Sequence, residues 1–340
     1  FTLPEEKIVA KIIEDKRDFA RAQLIEILIP SLKRRQPLCP HFGVCGGCHF
    51  QHIPYLSQLD LKKEILVEQW ERIGKTVAIP VIEVLASDLE WNYRASLQFR
   101  LDDQGGLGFS RMNEVGVIPI RECYLPSEPV AQTWPLLKFE QKSEVKRVEI
   151  RSGTDGEVMV TLTGNAGQVP EVETDLSVSI AYISPAGVSI LAGDDHINVS
   201  LLDKNYRVSP GAFFQVNPYC TEKMMKWIQQ HAGTGKILLD AYCGGGLFSA
   251  LLESCFERVI GIEAAPQACE DYTYNLDELN HIELYQGQVE HVLPYLNIKP
   301  DLVLLDPPRS GAAKSVVDWI LNIRPRSEEH TSELQSRFGI

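Results

Sequence analysis

The chain has no run of roughly 18 uncharged apolar residues, so its sequence holds no helical membrane span. No basic, apolar and small-residue leader opens it, so no signal peptide is visible. It starts on Phe1 and not on methionine, which reads as a missing N-terminus. It contains no internal repeat and no low-complexity stretch, and it lacks a positive charge excess. With 33 Lys and Arg against 46 Asp and Glu, its formal net charge is −13, which argues against nucleic-acid binding by the chain as a whole, because phosphate contacts need cations. The deficit is uneven. Residues 1–75 carry 12 basic and 10 acidic side chains, including Lys33-Arg34-Arg35 and Lys62-Lys63, so any nucleic acid is expected to meet the N-terminal third.

At 340 residues, 44% hydrophobic and 23% charged, the chain has the makeup of an ordinary globular protein of two or three domains. Its eight cysteines without extracellular signals suggest a reducing, cytoplasmic setting, where thiols serve metals or catalysis. Three of them fall within ten residues, Cys39, Cys45 and Cys48, and Cys123 is a candidate fourth. Ordinary core packing does not demand such crowding. A five-residue gap, a two-residue gap and a remote fourth thiol fit an iron–sulfur cluster better than the paired knuckles of zinc. His41, His49 and His52 keep zinc open.

Residues 7–29 alternate apolar and polar on either side of Glu14-Asp15-Lys16-Arg17-Asp18, the pattern of a hairpin. Apolar spacing through 55–73 predicts a helix stopped by Gly74. From about 80 to 210 short strands are expected, at Ser96–Leu101, Val115–Ile120, Val145–Ile150 and Val158–Leu162, with a turn at Gly105-Gly106. From about 220, strands alternate with helices, which predicts a parallel sheet.

Lys236–Ala241 reads as a buried strand entering the glycine turn Cys243-Gly244-Gly245-Gly246, with a helix from about Leu247. The next strand, Arg258–Ile262, ends in Glu263, 19 positions after Gly244, about where an acid would grip ribose hydroxyls. A dinucleotide fingerprint wants a third glycine where Ser249 stands. Asp240-x-x-x-Gly244-x-Gly246 instead resembles the first motif of class I S-adenosylmethionine-dependent methyltransferases. Leu302–Leu305 is a further strand, closed by Asp306-Pro307-Pro308-Arg309, and prolines take the chain out of a sheet at the strand end, where ligands bind.

The ordered set Cys39/Cys45/Cys48, Cys123, Phe214-Gln215-Val216-Asn217, Asp240-x-Tyr-Cys-Gly-x-Gly, Glu263 and Asp306-Pro-Pro-Arg resembles the bacterial RNA uracil-5-methyltransferase family, in particular its cluster-bearing 23S ribosomal RNA branch. The resemblance implies an α/β fold: a Rossmann-like class I methyltransferase domain, incomplete at its C-terminus, behind a β-rich central domain and a partial TRAM barrel. The expected divisions are 1–36 (TRAM, RNA-binding), 37–75 (cluster loop and helix), 76–210 (β-rich), 211–326 (methyltransferase) and 327–340 (a non-native tail). It also implies that Cys39, Cys45, Cys48 and Cys123 ligate a [4Fe–4S] cluster, and that Gln215, Tyr242, Leu247, Glu263, Gln288 and Asp306 line the S-adenosylmethionine pocket. Leu247 and Gln288 depart from the commoner residues there.

The family's chemistry is covalent. A Cys thiolate adds to carbon 6 of a flipped-out uracil, carbon 5 takes the methyl group, and a Glu base removes the carbon 5 proton. The strand expected to carry that Cys does not appear. Ser327–Ser336 is polar, without a strand pattern, and resembles a translated sequencing adapter. The expectation is a monomeric fragment that meets 23S rRNA and holds cofactor and cluster but does not methylate. The alternatives are a tRNA uracil-5-methyltransferase and a non-catalytic RNA-binding module with a metal site; a zinc-dependent dehydrogenase is disfavoured by Ser249 and the Pro-Pro-Arg turn.

Overall fold

The structure, a computed structural model, describes residues 1–17, 19–75, 84–112, 115–140, 144–165, 169–170, 172–325 and the backbone of 327–330. The division expected at 76 and the tail beyond 330 lie outside the described residues. In chain order the elements are β1 (Lys7–Asp15), β2 (Ala20–Ile29), α1 (Tyr55–Gln69), β3 (Ser96–Leu101), β4 (Leu107–Ser110), β5 (Val117–Pro119), α2 (Glu128–Thr133), β6 (Val145–Ser152), β7 (Val158–Gly164), β8 (Ser179–Ser184), β9 (Gly187–Ala192), β10 (Ile197–Leu201) and β11 (Lys204–Val208). There follow α3 (Pro218–His231), β12 (Gly235–Ala241), α4 (Leu247–Leu252), β13 (Phe256–Glu263), α5 (Pro266–Leu276), β14 (Ile282–Gln286), α6 (Val289–Val292), β15 (Leu302–Leu305), α7 (Lys314–Ile323) and β16 (Ser327–His330). Among the described residues no helix is long and apolar enough to cross a membrane.

The chain forms two compact units, Phe1–Ala86 with Gly108–Tyr124, and Ser87–Leu107 with Leu125–Ile340. In the first, β1 and β2 pair as the expected antiparallel hairpin, with three irregularities in register. Helix α1 follows Pro54 and continues through a π-helical turn, Trp70–Gly74. The left-handed cap falls on Lys75, at φ 52°, one residue past the glycine expected to end the helix. All four candidate ligands, Cys39, Cys45, Cys48 and Cys123, lie in this unit.

In the second unit, strands β3, β6, β7, β8 and β9 lie side by side, antiparallel except for the parallel pair β7–β8, and β10 pairs with β11 as a separate hairpin. The parallel sheet has the order β14-β13-β12-β15-β16. Alternate residues of β12 serve opposite faces, as a strand's two-residue period requires. Leu238 packs with Met225 and Ile228 of α3 and the apolar residues of α4, while Leu239 and Ala241 pack with Val316 and Ile320 of α7. Helices therefore cover both faces, which is why β12 and β15 read as continuous apolar runs.

One expectation fails here. Residues 327–330, read as having no strand pattern, form β16, parallel to β15. Strand pairing uses backbone N–H and C=O groups, so a sheet edge accepts a sequence whose side chains carry no strand signal.

Candidate active site

The sheet places the site. From β12 the chain steps outward to β13 and β14, then returns to the opposite side of β12 for β15. The carboxyl ends of β12 and β15 thus diverge at a topological switch point, where ligands of open α/β sheets bind. Ala241 is opposite Leu305 in that pairing, so the turn after β12 and Asp306 after β15 emerge side by side.

The turn itself is unusual. Tyr242 has a left-handed backbone, φ 66°, a conformation disfavoured for a residue with a Cβ. The amides of Tyr242 and Cys243 both donate to the Ile262 carbonyl, at 2.9 and 3.1 Å, which bends the chain sharply off the strand. Gly244 is also left-handed, and a Cβ built there would meet nothing within 4 Å. A ligand can therefore lie against bare backbone at Gly244. Gly246 is constrained from the opposite side: its φ is 87°, and a Cβ would come within 2.8 Å of Leu276 and 3.0 Å of Tyr272.

Glu263 ends β13 beside this turn. Its Oε2 accepts from the Gly244 amide at 3.0 Å, and its Oε1 accepts from Ala264 and Ala265 at 2.8 and 2.7 Å. One carboxylate thus fastens the glycine turn and the residues leading into α5. Gln215 Nε2 donates to Asp306 Oδ2 at 3.3 Å, joining the Phe214–Asn217 segment to the end of β15. Asn217 turns that segment into α3 by accepting the Cys220 amide at 3.1 Å. Gln288 precedes α6, exposed, with its side chain unused as a cap, and the neighbouring Gly287 amide donates to the Glu263 carbonyl at 2.8 Å. Leu247 is only 7% exposed and belongs to the core cluster on the α3 face, so its side chain serves packing.

Five of the six expected pocket residues therefore cap the carboxyl ends of the sheet, and Leu247 contributes from the core. An open glycine backbone, the Glu263 carboxylate and the polar side chains of Gln215, Gln288 and Asp306 fit an adenosyl ligand. When bound, S-adenosylmethionine supplies a methyl group on a sulfonium.

Beneath the turn runs a buried chain that sequence reasoning left without a role. Tyr272 Oη donates to Ser249 Oγ at 3.1 Å, and Ser249 donates to Asp240 Oδ2 at 2.7 Å. Asp240 is fully buried, and its Oδ1 has no hydrogen-bond partner. Ser249 counted in the sequence only as a missing glycine; a hydroxyl within the apolar run Leu247–Leu252 was the available signal. Burial raises the Asp240 pKa from 3.8 to about 7, reinforced by the charges of Asp306 and Glu263. Between those values the folded protein keeps a proton that the unfolded chain has lost, so stability falls as pH rises from about 4 to about 7 and then levels off. We expect Asp240→Asn to lose that slope, which urea midpoints at pH 5 and pH 8 measure directly.

Cys243 is buried, and burial pushes its thiol well above its ordinary pKa; that of Cys269, which donates to the Glu263 carbonyl, is pushed up to about 11. Burial thus favours the neutral thiol at both positions.

In the first unit, Cys45 Sγ accepts the Gly47 amide at 3.4 Å and the Cys39 amide donates to Gln51 at 3.1 Å. Burial raises the thiol pKa of both Cys39 and Cys45. Among the described residues no three His, Cys, Asp or Glu side chains converge to hold a metal ion, so the four expected ligands do not form a metal cradle here. The basic run Lys33-Arg34-Arg35 is partly committed to the fold. Arg34 grips the buried Glu6 carboxylate through two hydrogen bonds, and Arg35 donates to the Gln51 carbonyl.

Comparison with known proteins agrees with this geometry. A family model described as tRNA (uracil-5-)-methyltransferase matches residues 188–286, from β9 through the glycine turn to β14. A protein of Aquifex aeolicus described as an uncharacterized RNA methyltransferase is 31% identical over 96% of this chain and 80% of its own length. One from Streptomyces coelicolor with the same description is 32% identical, covering 96% and 76%. Among solved structures, the tRNA (uracil-54, C5)-methyltransferase of Pyrococcus abyssi in complex with S-adenosyl-L-homocysteine superposes with a TM-score of 0.73 over 99% of this chain and 86% of its own; at 21% identity it shares the fold. With its open glycine turn, its Glu263 clasp and its relatives along nearly the whole chain, this protein belongs to the RNA uracil-5-methyltransferase family of class I, S-adenosylmethionine-dependent enzymes.

Proposed function

We propose that the chain is the cofactor-binding and base-selecting part of an enzyme that methylates carbon 5 of a uridine in 23S ribosomal RNA. The observation that carries this reading is the Gln215–Asp306 pair beside the glycine turn. A uracil edge presents one N–H donor between two carbonyl acceptors. A carboxylate next to an amide NH2 is its complement. Gln215, Tyr242, Glu263, Gln288 and Asp306, with the backbone at Leu247, would hold S-adenosylmethionine and the flipped base together.

The covalent route needs a thiolate at carbon 6, and burial disfavours one at Cys243 and Cys269. The 340-residue polypeptide is therefore expected to bind S-adenosylhomocysteine without forming 5-methyluridine. Titration calorimetry together with nucleoside analysis of incubated rRNA checks both halves. No binding at millimolar ligand would sink the cofactor reading, and any 5-methyluridine would sink the assignment of these thiols.

Ribosomal rather than transfer RNA is favoured by Cys39, Cys45, Cys48 and Cys123, which share one compact unit, the first three in one loop of suitable spacing. Residues 1–36 would supply a TRAM-type RNA contact, with the protein acting as a monomer. Ligation of a [4Fe–4S] cluster would require the raised thiols to ionise and the four to draw together. Anaerobic purification with iron, sulfide and zinc analysis is the test. About four irons per chain supports the ribosomal branch, and zinc in their place overturns it.

A further inference from the structure

We infer that Asn275, in the last turn of α5, is a positioning residue for the cofactor, setting the shape of the glycine turn from outside the pocket. This rests on the cofactor reading above and concerns a residue that touches neither ligand nor reacting atoms.

The argument is one of hydrogen-bond capacity. A primary amide offers two donors and an acceptor. Asn275 Oδ1 accepts the Arg207 amide at 2.8 Å, while Nδ2 donates to the Arg207 carbonyl at 3.2 Å and to the Gly245 carbonyl at 2.9 Å. Both donors are thus in use. Among the described residues strand β11 is paired on one side only, with β10, so the outward N–H and C=O of Arg207 are open to a partner. The Asn275 side chain pairs with them as a neighbouring strand would, and spends its remaining donor on the glycine turn.

One turn earlier on the same helix face, Asp271 makes the rest of this junction. It accepts the Ser209 amide at 2.8 Å and the Ser209 hydroxyl at 2.6 Å, and its Oδ1 lies 3.4 Å from Arg207 Nε. Helix α5 is therefore fastened to β11 with or without Asn275. What Asn275 alone adds is the link to Gly245, between Gly244, whose amide meets Glu263, and Gly246, whose amide donates to the Cys243 carbonyl at 3.0 Å. Gly245 itself has no side chain with which to hold its position. The turn is thus clasped from the β13 side by Glu263 and from the α5 side by Asn275.

Three variants separate this role from general stability, read by S-adenosylhomocysteine calorimetry, thermal melting and amide hydrogen exchange at Gly244–Gly246 in the ligand-free protein. Asn275→Ala is expected to raise the dissociation constant about tenfold, the worth of one well-made hydrogen bond, and to speed exchange at the turn. Ser209→Ala weakens the same α5–β11 junction without touching Gly245, and is expected to lower the melting temperature at unchanged affinity. Asn275→Asp keeps the acceptor for the Arg207 amide but, ionised at neutral pH, has no donor for Gly245, so its affinity should fall as that of Asn275→Ala does.

Equal affinity and equal turn exchange in Asn275→Ala and wild type would overturn the inference even if melting drops. If Asn275→Ala does not fold, wild-type affinity and wild-type turn exchange in Asn275→Asp overturn it instead. Failure of wild type itself to bind the ligand would remove the cofactor reading, and this inference with it.

Discussion

Glu263→Ala is expected to weaken S-adenosylhomocysteine binding by about two to three orders of magnitude. Charge-assisted hydrogen bonds are each worth about 1.5–3 kcal/mol, and this carboxylate holds the amides of Gly244, Ala264 and Ala265 and is the proposed acceptor for ribose hydroxyls. The variant loses the anionic acceptor for the ligand and also releases Gly244, the one turn residue with open space beside its Cα. Glu263→Gln should fall between the two, because its amide oxygen keeps one acceptor while its NH2 faces backbone donors. Calorimetry on the three proteins ranks them. A dissociation constant for Glu263→Ala within threefold of wild type would reduce Glu263 to a turn staple and refute its ribose-binding role.

Gly261→Ala is expected to cost roughly 3 kcal/mol of stability, at the upper end of what overpacking a core costs. Gly261 sits in β13, inside the parallel sheet, paired with Asp240 of β12 and Leu284 of β14. A Cβ there would come within 2.7 Å of Tyr272 Oη and 2.8–2.9 Å of its ring atoms. That ring is 2% exposed, and its hydroxyl begins the hydrogen-bonded chain through Ser249 to Asp240. Neither the sheet backbone nor a ring so tightly enclosed can give way without breaking the chain under the cofactor turn. Tyr272→Phe added to Gly261→Ala should restore only part of the loss, since it removes the closest contact and leaves the ring. Urea midpoints of the single and double variants check this, and a loss under 0.5 kcal/mol for Gly261→Ala would show that the Tyr272 packing yields cheaply.

Much of the catalytic half was legible in the sequence because its signals are local. An apolar run followed by glycines must be a strand entering a tight turn, and an acid at the end of the next strand must lie near it. Asp306-Pro307-Pro308 ends its strand for the covalent reason that proline cannot donate to a ladder. These local rules placed Glu263, Asp306 and the turn at Gly244, and they found the hairpin at 7–29 and strand β3 to the residue; Tyr242 came only with the family resemblance.

What escaped them depends on residues far apart in sequence. Gln215 and Asp306 are 91 positions apart, and they meet only because β15 returns to the far side of β12. Asp240 reads as a motif residue, yet only burial on all sides, beneath Ser249 and Tyr272, makes it a group that holds a proton near neutral pH. Asn275 looks like any polar residue near a helix end until β11 is laid beside it. Arg34 reads as a candidate phosphate contact until Glu6 claims it, and β16 is a strand because β15 offered an edge. The sequence by itself determined the family, the turn and the acid that clasps it, since these follow from backbone stereochemistry over a few residues. Tertiary structure alone decided which polar groups are paired, buried or charged, because pairing and desolvation are set by neighbours that only the folded sheet brings together.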